Sequence, residues 1–264
     1  GANADIAILY GNTANFVGLG NETITPTDAN LTVAQVNALR GFTTGTVTET
    51  VGNMNLGVTA VNAALTNSGV DALTMVVNVA DATMTQAELQ DLTALDGKTS
   101  VAIDASAVTS VTGTHAELMS LYAAGEAGTI TGLGNEAITA NDAGITVSQA
   151  NDLASKTTGA VTATLSNTAL ADYSTLEGTG NAYAIQINDS AIDADALQAL
   201  NAKTTANIDL TNDTSISGTL ANVNAIVAET GVVNVNDAIT VTITDTITAA
   251  EAETLVGTNV GDVT

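Results

Sequence analysis

The chain of 264 residues has no Cys and no Trp, one Pro, one His and only four Lys and Arg. Without Cys there is neither a disulfide framework nor a thiolate metal site. Four cations cannot neutralise a run of phosphates, so nucleic acid is excluded as a partner. His115 has no second His and no Cys to work with, and neither a catalytic triad nor a zinc site can be assembled around it. No apolar run reaches the roughly 18 residues that a membrane-spanning helix needs, so no membrane insertion is expected. Aromatic residues make up 2% of the chain, too few for a sugar-stacking surface. What the sequence does have is acid and pattern. It carries 28 Asp and Glu for a formal charge of −24, and 45% of its residues are hydrophobic. That apolar content, strongly patterned, argues against disorder.

The pattern is repetitive. Residues 18–39 align with 132–153 without a gap and are identical at 14 of 22 positions. The shared text reads Gly-Leu-Gly-Asn-Glu-x-Ile-Thr, then Asp-Ala, then Thr-Val-x-Gln-x-Asn-x-Leu. A second alignment pairs Leu95 with Leu200, Lys98 with Lys203, Ile103 with Ile208 and Gly113 with Gly218. Self-similarity of this kind marks a repeat architecture. The boundaries it suggests are the end of a preceding repeat plus a Gly-Asn-Glu loop in 1–30, a first large repeat in 31–144, a second in 145–246 and the start of a third in 247–264. Ala4 to Tyr10 also resembles Ala116 to Tyr122. The expectation is therefore an internal piece of a longer array.

A shorter period lies inside. Nonamers begin at Leu31, Met84, Ile145, Ile192 and Ile247, with Thr32, Thr85, Thr146, Asp193 and Thr248 in second place. Thr followed three residues later by Gln or Glu is the capping box that satisfies the free N–H groups of a helix start. A short helix is expected after each. Alternating segments follow: Met75 to Val79, Val101 to Asp104, Val161 to Leu165, Tyr183 to Ile187 and Ile239 to Thr244. Their period of two predicts strands with one apolar face and one face rich in Thr, as also in the row Thr46, Thr48, Thr50. Parallel strands joined by helices need right-handed crossovers. The predicted fold class is thus α/β, a right-handed solenoid of short helix and parallel strand units. Two α/β repeat domains, broken near the Gly-rich stretch 125–144, are the alternative.

The candidate sites are all acidic or amide side chains. Asp81, Asp189, Asp213 and Asp245 fall at strand ends, where stacked carboxylates would repel unless a cation bridged them. Ca²⁺ is the possible cofactor, because it takes oxygen ligands in irregular geometry. The two Gly-Leu-Gly-Asn-Glu loops add Asn21, Glu22 and Asp28, and Asn135, Glu136 and Asp142. Against a metal role stands the ordinary use of Asp and Asn as turn formers and helix caps. Neither an EF-hand loop nor a Gly-Gly-x-Gly-x-Asp nonapeptide is present. The acids are spread over the repeats and not gathered at one groove, so no enzyme is expected and no catalytic residue is assigned.

The Gly-Leu-Gly-Asn-Glu-Ala-Ile-Thr segment, the alternating units and the Ala, Thr and Asp bias resemble the giant repetitive surface proteins of marine bacteria. Cyanobacterial cell-surface proteins linked to swimming motility are the nearest in style. The resemblance implies export, often by type I secretion, and an extracellular or cell-surface location. It implies a structural or filament-forming segment, with an adhesin-type, calcium-stabilised binding module as the alternative. The partners implied are neighbouring repeats of a longer chain, or further copies through self-association.

Overall fold

The computed structural model describes residues 1–12, 15–28, 33–45, 50–56, 59, 74–99, 101–228, 232–233 and 239–256. Leu31 and Thr32 of the first nonamer, and Thr46 and Thr48, lie outside them. The chain divides into two compact units, Gly1–Glu136 and Ala137–Thr264. Both are α/β with parallel strand pairing. No described helix is long and apolar enough to cross a membrane.

The first unit contains helices α1 (Asn3–Gly11), α2 (Val33–Phe42), α3 (Gln86–Asp96) and α4 (His115–Ala127). Its strands are β1 (Thr50–Leu56), β2 (Thr74–Val79), β3 (Thr83–Met84), β4 (Ile103–Asp104), β5 (Ser110–Gly113) and β6 (Ile130–Thr131). One sheet runs in the order β1-β2-β4-β6, and β3 pairs with β5. The second unit contains β7 (Ala137–Ala140), α5 (Val147–Ala154), β8 (Val161–Thr164), a 3-10 helix (Leu170–Thr175), β9 (Ala182–Gln186) and β10 (Ile192–Asp193). It continues with α6 (Ala194–Asn201), β11 (Ile208–Asp209), β12 (Ser215–Gly218), α7 (Leu220–Ala228), β13 (Val232–Val233), β14 (Thr240–Ile243) and α8 (Ala249–Val256). There β7-β8-β9-β11-β13 are neighbours in that order, and β10-β12-β14 form a separate sheet.

The helices start where the capping residues say. Thr85, Thr114 and Thr146 each accept from the backbone N–H three residues on, and Glu88, Glu117 and Gln149 reach back to close the box. Asp193 accepts from Ala196 at the start of α6, and Glu251 bonds the N–H and hydroxyl of Thr248 before α8. Each box satisfies two N–H groups that the helix itself leaves without partners. The buried stripe is narrow and nearly identical in three helices: Leu89, Leu92 and Leu95; Val147, Ala150 and Leu153; Ala194, Leu197 and Leu200. Residues three apart share one helix face, so a single line of apolar side chains meets the strands.

The strands bury every second residue. In β8, Val161 and Ala163 point inward while Thr162 and Thr164 are exposed; in β9, Tyr183 and Ile185 are buried and Ala184 and Gln186 are not. Register stacks like on like. Ile138 lies beside Val161, Ala163 beside Tyr183 and Ile185 beside Ile208. In the second sheet Ile192, Ile216 and Val241 stack, none more than 1% exposed. In the first unit Ile103 stacks on Ile130 and Met84 on Val111.

The advance in residue number from one strand to its partner varies, and the intervening helix accounts for the variation. A helix of six residues goes with an advance of 20 (Ala163 to Tyr183). Eight residues go with 23 (Ile138 to Val161, and Ile185 to Ile208). Nine go with 24 (Ile208 to Val232), eleven with 26 (Asn78 to Asp104) and thirteen with 27 (Ile103 to Ile130). Subtracting helix from advance leaves 14 or 15 in these six pairings. The pairings of β3 with β5, β10 with β12 and β12 with β14 each leave one more, 16. The strands and turns are held to a nearly fixed length, and the helix absorbs the rest.

Ile208 is fully buried in a strand flanked on both sides. Replacing it with Ala should cost about 2–5 kcal/mol through lost burial and a residual cavity. Thr162→Ala, on the exposed face, should cost less than about 1 kcal/mol. Urea unfolding of the two variants checks the contrast.

Candidate functional site

The polar side chains at strand ends face backbone N–H groups of the preceding passage of chain. Asp28 accepts from Asn3 N–H at the start of α1 (2.5 Å). Asn167 accepts from Val147 N–H at the start of α5 (3.1 Å), and Asp189 from Leu170 N–H at the start of the 3-10 helix (2.7 Å). Asp245 accepts from Leu220 N–H at the start of α7 (2.9 Å). Buried Asn181 and Thr204 accept from the N–H groups of Val161 and Tyr183 in the same way (2.8 and 2.9 Å). Each bond spans 19–25 residues of sequence. A carboxylate at a helix N-terminus also meets the positive end of the helix dipole. Of the expected metal residues, Asp28, Asp189 and Asp245 are therefore engaged with helix starts.

The two Gly-Leu-Gly-Asn-Glu loops are built alike. Gly18 and Gly20 have φ of 89° and 120°, and Gly132 and Gly134 have 84° and 119°. Side chains other than Gly adopt such values at a cost, which explains the recurring Gly-x-Gly. The loop then folds onto its own Glu. Glu22 accepts from the Tyr10 hydroxyl and the Gly20 N–H, both at 2.8 Å. Glu136, fully buried, accepts from the Tyr122 hydroxyl at 3.0 Å and the Gly134 N–H at 2.9 Å. The Gly20 and Tyr10 donors lower the Glu22 pKa, and burial followed by the Glu136 charge pushes the Tyr122 hydroxyl far up. These Tyr–Glu pairs tie each helix end to the loop after it. Sequence comparison aligned the loops and, separately, the helices that carry the tyrosines, but did not join the two. Asn21 and Asn135 are exposed on the same loops, and Asp142 lies half-buried beyond β7.

Asp81 lies half-buried in the first unit, just past β2. Asp189 and Asp213 occupy successive turns of the second unit, after β9 and β11. Asp245 follows β14, in the turn before α8. Among the described residues, no three His, Asp or Glu side chains form a group able to hold a metal on their own.

Asp213 differs from Asn167, Asp189 and Asp245. It is 2% exposed, yet neither carboxylate oxygen makes a hydrogen bond. The Asp189 N–H lies close enough to favour its charge, but not in hydrogen-bonding geometry. Asp213 sits in a surface turn, screened by its neighbours and not deep in the core. Burial, with the Asp189 and Asp209 charges adding to it, pushes its pKa up to about 6. Around it the turns are laced together. The Asn212 amide donates to Asn188 Oδ1 (2.7 Å), the Thr214 and Ser215 hydroxyls donate to Ser190 O, and Asp209 Oδ1 accepts from Thr211.

A cavity of about 330 Å³ opens beside the 3-10 helix, between it and α6, lined by Leu170, Tyr173, Leu176, Ala196, Leu200 and Lys203 among others.

Comparison with protein-family models, with curated proteins and with solved structures gives no match to this chain in any of the three. What fold and turns define is an α/β chain of parallel strands and helices, several of whose acidic side chains cap helix starts.

The raised Asp213 pKa sets a pH dependence. Folding favours the protonated form, so the stabilising contribution is full below about 3.8 and is lost as pH rises through about 6. Above that, the charged form of Asp213 destabilises the fold. Asp213→Asn should therefore stabilise the chain at pH 7.5 without divalent salt, with little effect near pH 4. Urea midpoints at pH 4, 5.5 and 7.5 measure the difference.

Proposed function

We propose that this chain is a non-enzymatic structural segment of an exported surface or filament-forming protein, folded as a right-handed α/β solenoid. One observation carries the reading: the chain outside the helix is nearly constant in length from strand to partner strand, whatever the length of the helix. Winding at a fixed cross-section requires a constant path around each coil, and a bulging helix is the one side that can change length. Separate α/β domains impose no such constancy.

The use of the acids supports a scaffold. Asp28, Asp189 and Asp245 accept from helix-start N–H groups, and Glu22 and Glu136 close loops. A net charge of −24 keeps neighbouring segments apart at low salt, and ionic strength relieves that repulsion. The repeat texture, which resembles that of giant bacterial surface proteins, favours a place outside the cell. A spacer of this kind contributes length and stiffness, with each coil adding about 4.8 Å.

Small-angle X-ray scattering on the chain and on a tandem duplication of it tests this reading. The duplicated chain should keep the same cross-sectional radius while its longest dimension grows in proportion to coil number. A radius that grows with mass, as in a compact particle, would remove the solenoid and the spacer role together.

A further inference from the structure

We propose that the Asp213 turn binds a calcium-type divalent cation, with Asp213 as the buried anchoring carboxylate and Asp189 and Asp209 as flanking charges. Asn167, Asn181, Asp189, Thr204 and Asp245 each accept a backbone N–H from the preceding passage of chain. Asp213 faces the backbone of Asp189 from the corresponding position, is 2% exposed, and has both oxygens unbonded. A buried carboxylate with no donor costs more than any cap in this chain returns. Two further carboxylates, Asp189 and Asp209, act on it, and both repel it.

A small cation resolves all three features. It neutralises the cluster, fills the unsatisfied lone pairs and needs no protein donor. The neighbours are already partly committed. Asp189 Oδ2 accepts from Leu170 N–H, and Asp209 Oδ1 accepts from Thr211. Asp213, Asp189 and Asp209 do not by themselves form a group of three able to hold a metal, so backbone carbonyls and water would supply most of the ligands. Ca²⁺ suits such a half-built site, because it accepts six to eight oxygens in irregular geometry, including carbonyls and water. Mg²⁺ demands a near-ideal octahedron. An open turn of this kind belongs to the weak class of extracellular sites, with Kd of roughly 0.1–1 mM. The inference stands on the stacked turns and does not depend on the spacer role.

The test is a thermal melt of the whole chain at pH 7.5 in chelator, in 10 mM CaCl₂, in 10 mM MgCl₂, and in NaCl of matched ionic strength. Wild type should melt roughly 3–5 °C higher in CaCl₂ than in matched NaCl, since the ion binds only the folded state. MgCl₂ should give a smaller rise. Asp213→Asn should abolish the calcium rise while melting above wild type in chelator, so that the order of the two proteins reverses when calcium is added. No calcium rise in wild type, or an equal rise in Asp213→Asn, overturns the site. An equal rise with MgCl₂ overturns the calcium-type assignment. If Asp213→Asn does not fold, Asp189→Asn takes its place, since it retains an oxygen for Leu170 N–H. A diminished calcium rise supports the proposal, and an undiminished one overturns it.

Discussion

Parallel pairing between strands one advance apart constrains everything else in this chain. A parallel ladder cannot slip by one residue without turning its buried face outward, because side chains alternate with a period of two. The columns Ile192, Ile216, Val241 and Ile138, Val161 record that constraint, with apolar residues meeting in register. The segments that carry strands must therefore keep their length. The helix side is free, and the range from six to thirteen residues shows the freedom in use. Small residues such as Ala150 and Ala194 let a single apolar stripe sit close to the strands.

The turns follow from the same geometry. Each passage of chain presents helix-start and strand-end N–H groups to the next, and a polar side chain about 20–25 residues on accepts from them. This links neighbours by side chain as well as by ladder. Where the acceptor is a carboxylate at a helix start, as at Asp189 and Asp245, it also meets the positive end of the helix. Glu117 shows the same economy within one side chain. It closes its own capping box and accepts from Gln86 and Gln90 on α3, and the Gln90 amide above all holds its pKa down to about 2.

Much of this was legible in the residues. The nonamers placed helix starts correctly at Thr85, Thr146, Asp193 and Thr248, because an N-cap side chain is a local, short-range signal. Alternation located β8, β9 and β14, since a half-buried strand writes its two faces into the sequence. The α/β class with parallel pairing followed. The partners of the turn residues did not. Nothing near Asp189 announces that it caps a helix start at Leu170, because the bond joins residues 19 apart and depends on register. The Tyr122–Glu136 pair was hidden similarly, by a loop between the two. Asp213 looked like its neighbours in sequence, and only packing separates the buried, unbonded carboxylate from those that cap.

In-phase parallel pairing is tested most directly by a pair of internal deletions. Removing residues 186–208 joins Ile185 to Asp209 and takes out one whole strand-to-strand advance, leaving strand pairing in phase. Removing residues 186–197 takes out about half of it. The account predicts a cooperative melt and native-like circular dichroism for the first deletion, and loss of folded structure in the second unit for the second. Equal damage from both, or tolerance of the half-advance deletion, would contradict the claim that in-phase parallel pairing holds the fold together.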